Sequence, residues 1–120
     1  LIGAGPWLLS NAYHAAERLQ AEHGMHARVI DLPWLNRVDA AWLRGAVGDA
    51  QRVFTLDNHY VDGGQGQMLA SRIAQLGLAV PVTAIGVREL PVCGTNDEVL
   101  AHHQLDVGGL VSSMAAALKA

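Results

Sequence analysis

The sequence predicts an α/β domain, a three-layer α/β/α sandwich around a mostly parallel sheet, and three observations carry that prediction. Short β-branched apolar runs alternate with segments of helical periodicity along the chain, the order that winds a parallel sheet with helices on both faces. Residues 52–76 show the repeating unit most plainly. An apolar run, Val53-Phe54-Thr55-Leu56, stops at Asp57, the chain turns through Gly63, Gly64 and Gly66, and Leu69, Ile73 and Leu76 then follow at helical spacing. Finally, 120 residues with 51% hydrophobic and 16% charged side chains suit one domain, residues 1–120, able to bury roughly two thirds of its unfolded surface.

Taken in order, Leu1 and Ile2 read as the end of a strand that opens into the turn Gly3-Ala4-Gly5. Pro6 suits a first helical turn, where its missing N–H costs nothing. No initiator Met or basic leader precedes this start, so the expectation is that the chain continues a longer polypeptide. Leu9, Ala12, Tyr13, Ala16 and Leu19 mark one helical face, Glu17, Arg18 and Glu22 the other, and Gly24 the stop. Residues 27–32 form a second strand ended by Pro33, which cannot donate to an inner ladder. Trp34 and Leu35 lie in the loop that follows. Asp39 caps a short helix carrying Trp42, Leu43, Ala46 and Val47, which Gly48 ends.

Residues 52–56 supply the third strand and residues 80–87 the fourth, with Pro81 tolerated at its start. An irregular segment, 88–93, leads to Thr95 and Glu98, which have the spacing of a capping box for a helix running to His103. Asp106 caps the last helix, whose buried stripe is Leu110, Val111, Met114, Ala117 and Leu118.

Composition excludes several classes of function. The net charge of −3 arises from 8 basic and 11 acidic residues without a Lys/Arg run, which gives a nucleic-acid backbone nothing to bind. The single cysteine, Cys93, rules out an intrachain disulfide and a paired-cysteine zinc site, and points to a reducing cytoplasm. The longest uncharged stretches, such as 107–118, fall short of the ~20 residues that span a bilayer, so no membrane association is expected.

Candidate chemistry is sparse. Gly3-Ala4-Gly5 has two glycines of a dinucleotide-binding turn, but Leu8 stands where the third belongs, and Asp31 ends the next strand as a ribose-binding acid would. That pattern sustains an alternative reading, a free-standing nucleotide-binding module. His102 and His103 project about 100° apart on a helix, which disfavours one shared ion, so no metal site is expected. Cys93 has no histidine placed by sequence as its base. No catalytic or cofactor-binding residue is therefore assigned. Residues 57–66 are the remaining candidate. Asp57, Asn58, His59 and Tyr60 are expected to face outward at the sheet edge, with Gly63, Gly64 and Gly66 permitting close approach and positive φ. They read equally well as a tight strand-to-helix connection or as a ligand or subunit contact.

The run Thr55-Leu56-Asp57-Asn58-His59-Tyr60-Val61-Asp62-Gly63-Gly64-Gln65-Gly66 resembles the strand, acidic-His loop and glycine turn of the transketolase C-terminal domain. Residues 15–24 with 27–31, Ile85-Gly86-Val87, Gly94 to Leu100 and Leu105-Asp106 are similar to the family's other segments, in the family's order. Two departures leave the subfamily open: Asp57-Asn58 where the family often has two acids, and Arg88 to Cys93 without its aromatic and acidic pattern. The resemblance implies a five-stranded mixed sheet with one antiparallel strand. It also implies a parent enzyme that uses thiamine diphosphate and Mg or Ca to move two-carbon ketol units between sugar phosphates. The diphosphate and metal would be held by an N-terminal domain and the activating glutamate would come from a middle domain, in the same chain or a separate subunit. Here the Gly-Asp-Gly signature for that cofactor is missing, so the resemblance implies a non-catalytic assembly domain of a homodimer, with Asp57, Asn58, His59, Tyr60, Gly63, Gly64 and Gly66 as its interface loop.

Overall fold

The computed structural model describes all 120 residues. The chain alternates β1 (Ile2–Gly3), α1 (Pro6–His23), β2 (Ile30–Asp31), α2 (Ala40–Val47), β3 (Val53–Tyr60), α3 (Gln65–Gln75) and β4 (Val82–Val87), then adds α4 (Asn96–His102) and α5 (Val107–Lys119). The four strands form one sheet in the order β2-β1-β3-β4, and every pair is parallel. The expected three-layer α/β/α sandwich is therefore observed. The sheet differs from the expected one in having four strands rather than five, and no antiparallel member.

Leu8, Ala12, Ala15 and Leu19 of α1 pack with Leu110, Val111, Met114 and Ala115 of α5 against Phe54 and Leu56 of β3 and Ile85 and Val87 of β4. On the opposite face, Leu43 and Val47 of α2 and Leu69 and Ile73 of α3 cover Ile2 and Val53. The period-two alternation of β3 thus sends Phe54 and Leu56 to one layer, and Val53 and Thr55 to the other. Winding from β1 to β2 and then back across to β3 places α1 and α2 on opposite faces, as right-handed crossovers require.

Two expectations shift in detail. The buried face of α1 is Leu8, Ala12, Ala15 and Leu19, while Tyr13 is exposed. The two candidate stripes overlap at Ala12 and Leu19, and packing against α5 and the sheet turns the helix to bury Leu8 and Ala15 in place of Leu9, Tyr13 and Ala16. β2 contributes two ladder residues rather than the six of 27–32, because its only partner in the sheet is the two-residue β1.

The capping box at α4 forms as expected. Thr95 N–H and hydroxyl both donate to Glu98 Oε2, at 2.8 and 3.0 Å, and Glu98 N–H donates back to the Thr95 hydroxyl at 3.4 Å. The backbone bond first, and the side-chain bond second, hold the Glu98 carboxyl below its ordinary value of 4.5. A carboxyl depressed in the folded state contributes stability that is complete above the ordinary range and is lost as pH falls through the depressed value. Hydrogen-exchange protection of the first turn of α4 should therefore decline on acidification through that window. Glu98→Gln should flatten the dependence, and an unchanged acid profile in that variant would rule out the cap as its source.

Candidate functional site

The strands end at Gly3, Asp31, Tyr60 and Val87, and these ends define one edge of the sheet. The order reverses between β1 and β3, and open α/β sheets bind ligands in the crevice outside such a switch point. β3 reaches this edge by running to Tyr60 instead of ending at Leu56. Asp57 to Tyr60 are therefore strand residues. The pairing with β4 shifts register between Leu56 and Tyr60, an irregularity of the kind that re-aims side chains. Asn58, His59 and Tyr60 are exposed as expected, whereas Asp57 is 3% exposed and faces inward.

The physical reason lies at the start of α3. Asp57 shares a strand face with Val53 and Thr55, which places its carboxylate under the amino end of that helix. Oδ1 accepts from Gln65 N–H at 2.9 Å and Oδ2 from Gly66 N–H at 3.0 Å. A charge of the chain itself thus satisfies amides that a helix start leaves free, at the positive end of the helix dipole. This donor set does not fit the diphosphate of thiamine diphosphate, because an incoming anion would have to displace a buried carboxylate.

The three glycines of the turn have different reasons for being glycine. Gly63 adopts φ +79°, and its N–H donates to Gln67 Oε1 at 2.8 Å. Gly64 has ordinary φ, −82°, but a Cβ there would lie 2.8 Å from Asp57 Cγ. On Gly66 a Cβ would run into the Thr55 hydroxyl. Only Gly63 therefore needs the positive φ expected of the turn, and the other two are required by the closeness of Asp57 and Thr55.

Gln65 is a site residue that no pattern in the sequence singles out. It is 2% exposed, and its Nε2 donates to the carbonyls of Leu32 at 2.7 Å and Trp34 at 3.0 Å. This side chain ties the turn after β3 to the loop after β2, and so fixes the backbone that presents Trp34. Its partners lie 31 and 33 residues away, beyond any local pattern. His59 is held by Nδ1, which donates to the Tyr60 carbonyl at 2.8 Å, while its Nε2 lies 3.7 Å from Asp57 Oδ1.

The other glycine turn is accounted for by packing. A Cβ on Gly3 would lie 3.1 Å from Leu56 Cβ and carbonyl oxygen, and Gly5 has φ +88°. Leu8, in place of a third glycine, is 1% exposed within the core. Asp31 stays exposed at the end of β2.

Beside the exposed Asp31, Asn58 and His59, the edge displays large apolar side chains. Seven large hydrophobic residues are exposed at or beyond the strand ends or in the first turn of the following helix: Trp7, Trp34, Leu35, Trp42, Tyr60, Leu90 and Val92. All three tryptophans belong to this set, and Arg37 stacks on Trp34 with its guanidinium carbon 4.1 Å from the ring centroid. Across the rest of the surface, Tyr13 alone is comparable.

Fold and site together define a doubly wound α/β domain whose switch-point turn is closed by its own carboxylate and whose edge is rich in aromatics. Residues 1–110 match the family model described as "Transketolase, C-terminal domain". The chain is 33% identical over 111 residues to one subunit of the apulose-4-phosphate transketolase of Phocaeicola vulgatus, covering 92% of this chain and 34% of that protein. It is 32% identical over 108 residues to 1-deoxy-D-xylulose-5-phosphate synthase of Edwardsiella ictaluri, covering 89% of this chain and 16% of that one. A solved structure described as "Split gene transketolase, inactive beta4 tetramer" superposes with a TM-score of 0.81 at 28% identity, over 98% of this chain and 37% of that chain. The chain belongs to the transketolase C-terminal domain family. It spans only about a third of the apulose-4-phosphate transketolase relative and about a sixth of the synthase.

Proposed function

We propose that residues 1–120 are the C-terminal assembly domain, or part of a separately encoded subunit, of a transketolase-like enzyme. The parent would transfer two-carbon ketol units between sugar phosphates in the cytoplasm, with thiamine diphosphate and Mg or Ca held by its N-terminal domain and the activating glutamate supplied by its middle domain. The observation that carries this reading is the concentration of exposed tryptophans, Tyr60 and leucines at the carboxyl edge of the sheet. Aromatic-rich patches of this kind mark surfaces that another protein covers. The role is indirect, since a docked domain can hold a neighbouring site in its productive geometry without supplying a reacting group. His59, Tyr60 and Asn58 belong to the contact surface in this reading. Asp57, Gly63, Gly64 and Gly66 shape it from beneath.

Support from the relatives is of the same kind. One is named as a subunit and another is described as a tetramer, and each is much longer than the matched segment. The decisive experiment is acid extraction of thiamine diphosphate from the native polypeptide or complex carrying this chain, together with its intact mass. Near-stoichiometric cofactor in a larger assembly is the expected result. Absence of thiamine, with saturable NAD or nucleotide binding instead, would establish the nucleotide-binding alternative.

A surface variant separates assembly from folding. Trp7→Ser with Trp34→Ser removes two exposed anchors, and each change should alter the unfolding free energy by no more than the ±0.5 kcal/mol or so typical of surface substitutions. The same variant should weaken association of the parent by at least about tenfold, since aromatic anchors cost ~2 kcal/mol or more when truncated in an interface. Sedimentation velocity showing an unchanged assembly would exclude this edge as the contact.

A further inference from the structure

We propose that Glu89, His102 and His103 form a binding site for one divalent transition-metal ion of the zinc class. Glu89 lies on the irregular segment after β4, His102 is the last residue of α4, and His103 is its C-cap. Two adjacent histidines in regular helix would diverge too far to share an ion. His103 leaves the helix, with φ −87° and ψ 8°, and the two rings meet edge to face with centroids 4.9 Å apart.

One donor atom from each of the three residues lies within 4.8 Å of the other two. His102 Nε2 and Glu89 Oε1 are already 3.6 Å apart, close to the ~3.4 Å that separates two donors on a tetrahedral zinc with bonds of about 2.0–2.1 Å. Rotation of exposed side chains closes the remainder, and the side chains of Glu89 and His102 are 72% and 47% exposed. The second observation is independent of the cluster's shape. His103 Nε2 is buried and has no hydrogen-bond partner, an expensive state for an imidazole nitrogen. A contact between Glu89 and His102 alone leaves His103 without a role, whereas a metal takes one donor from each of the three residues.

Two imidazoles and one carboxylate favour zinc, nickel or copper over the hard cations magnesium and calcium. The three residues border an open cleft that also includes Thr83, Gln104 and Ser113, which leaves a fourth position for water. Arg88 borders the cleft too, but its guanidinium is drawn back onto the Ala84 carbonyl at 2.7 Å.

The test uses the tag-free polypeptide that carries this chain, stripped with chelator and titrated calorimetrically with Zn²⁺ in excess Mg²⁺. Magnesium fills oxygen-lined sites elsewhere and competes poorly for imidazole. One saturable zinc is expected, weakened at least about tenfold by His102→Ala and by His103→Gln, a loss that even outer-shell partners of metal ligands can cause. His14→Ala, on α1 and outside the cluster, should change nothing. Cobalt substitution gives a second readout, a visible absorption band that appears with the wild type and is lost in His103→Gln. Absence of saturable zinc binding, or zinc binding retained in the His102→Ala/His103→Gln double variant, would overturn the proposal.

Discussion

Asp57→Ala is expected to destabilise the domain by about 3–5 kcal/mol, a large fraction of the ~5–15 kcal/mol that holds a domain of this size folded. The substitution deletes both acceptors of the Gln65 and Gly66 amides. Hydrogen bonds to a charged group contribute about 1.5–3 kcal/mol each, and two buried N–H groups are then left without partners. Asp57→Asn should fall between, because one carboxamide oxygen can still accept while its NH₂ faces a donor. Urea denaturation measures the series directly, and a loss below about 1 kcal/mol in Asp57→Ala would show that another group serves the amino end of α3. Since the Gln65 amide is one of the two lost donors and its side chain fixes the Leu32 and Trp34 carbonyls, the same variant should disturb the loop that displays Trp34. Loss of assembly in Asp57→Ala would thus report folding of the edge rather than a direct contact.

Gly66→Ala is expected to cost about 3 kcal/mol, at the upper end of what overpacking a core position produces. The new methyl would meet the Thr55 hydroxyl, lie 2.9 Å from Asp57 Oδ2 and 3.0 Å from Thr55 Cβ. Thr55 is fully buried and its hydroxyl has no protein partner, so Thr55→Ala removes the nearest of these obstacles without breaking a hydrogen bond. The double variant Thr55→Ala/Gly66→Ala should therefore be more stable than the sum of its single changes by roughly 1 kcal/mol or more, the coupling expected of residues in contact. Strict additivity would mean that the backbone of α3 moves away instead. Gly63→Ala gives the contrast. No atom lies within 4 Å of a Cβ there, and only the positive φ opposes the change, at about 1–2 kcal/mol.

These two positions also show how far local pattern reaches. Thr95 and Glu98 announce their capping box, and Asp39 and Asp106 their N-cap bonds to Trp42 and Gly109, because the partners of a cap lie three residues away. The stripe Leu110, Val111 and Met114 is legible for the same reason. Asp57 reads from sequence as the end of a strand and a solvent-facing acid because its partners, eight and nine residues on, come within reach only after the turn has closed. Its inward aim follows from β3 running past Leu56, which keeps Asp57 on the face of Val53 and Thr55. Gln65 carries no local signal at all, and His103 departs from the helical geometry that its place in the sequence suggests.

Residue types at short and fixed spacing are enough to specify the alternation of strands and helices, the caps, the glycine turn and the kinship with transketolase C-terminal domains. Four other features appear only in the folded chain: which of two stripes on α1 is buried, Asp57 in the anion seat of α3, the coupling of two loops by Gln65, and the gathering of the tryptophans at one edge. They arise from parallel pairing of strands many residues apart. Burial, register and proximity across such distances are properties of the packed layers, not of any segment within them.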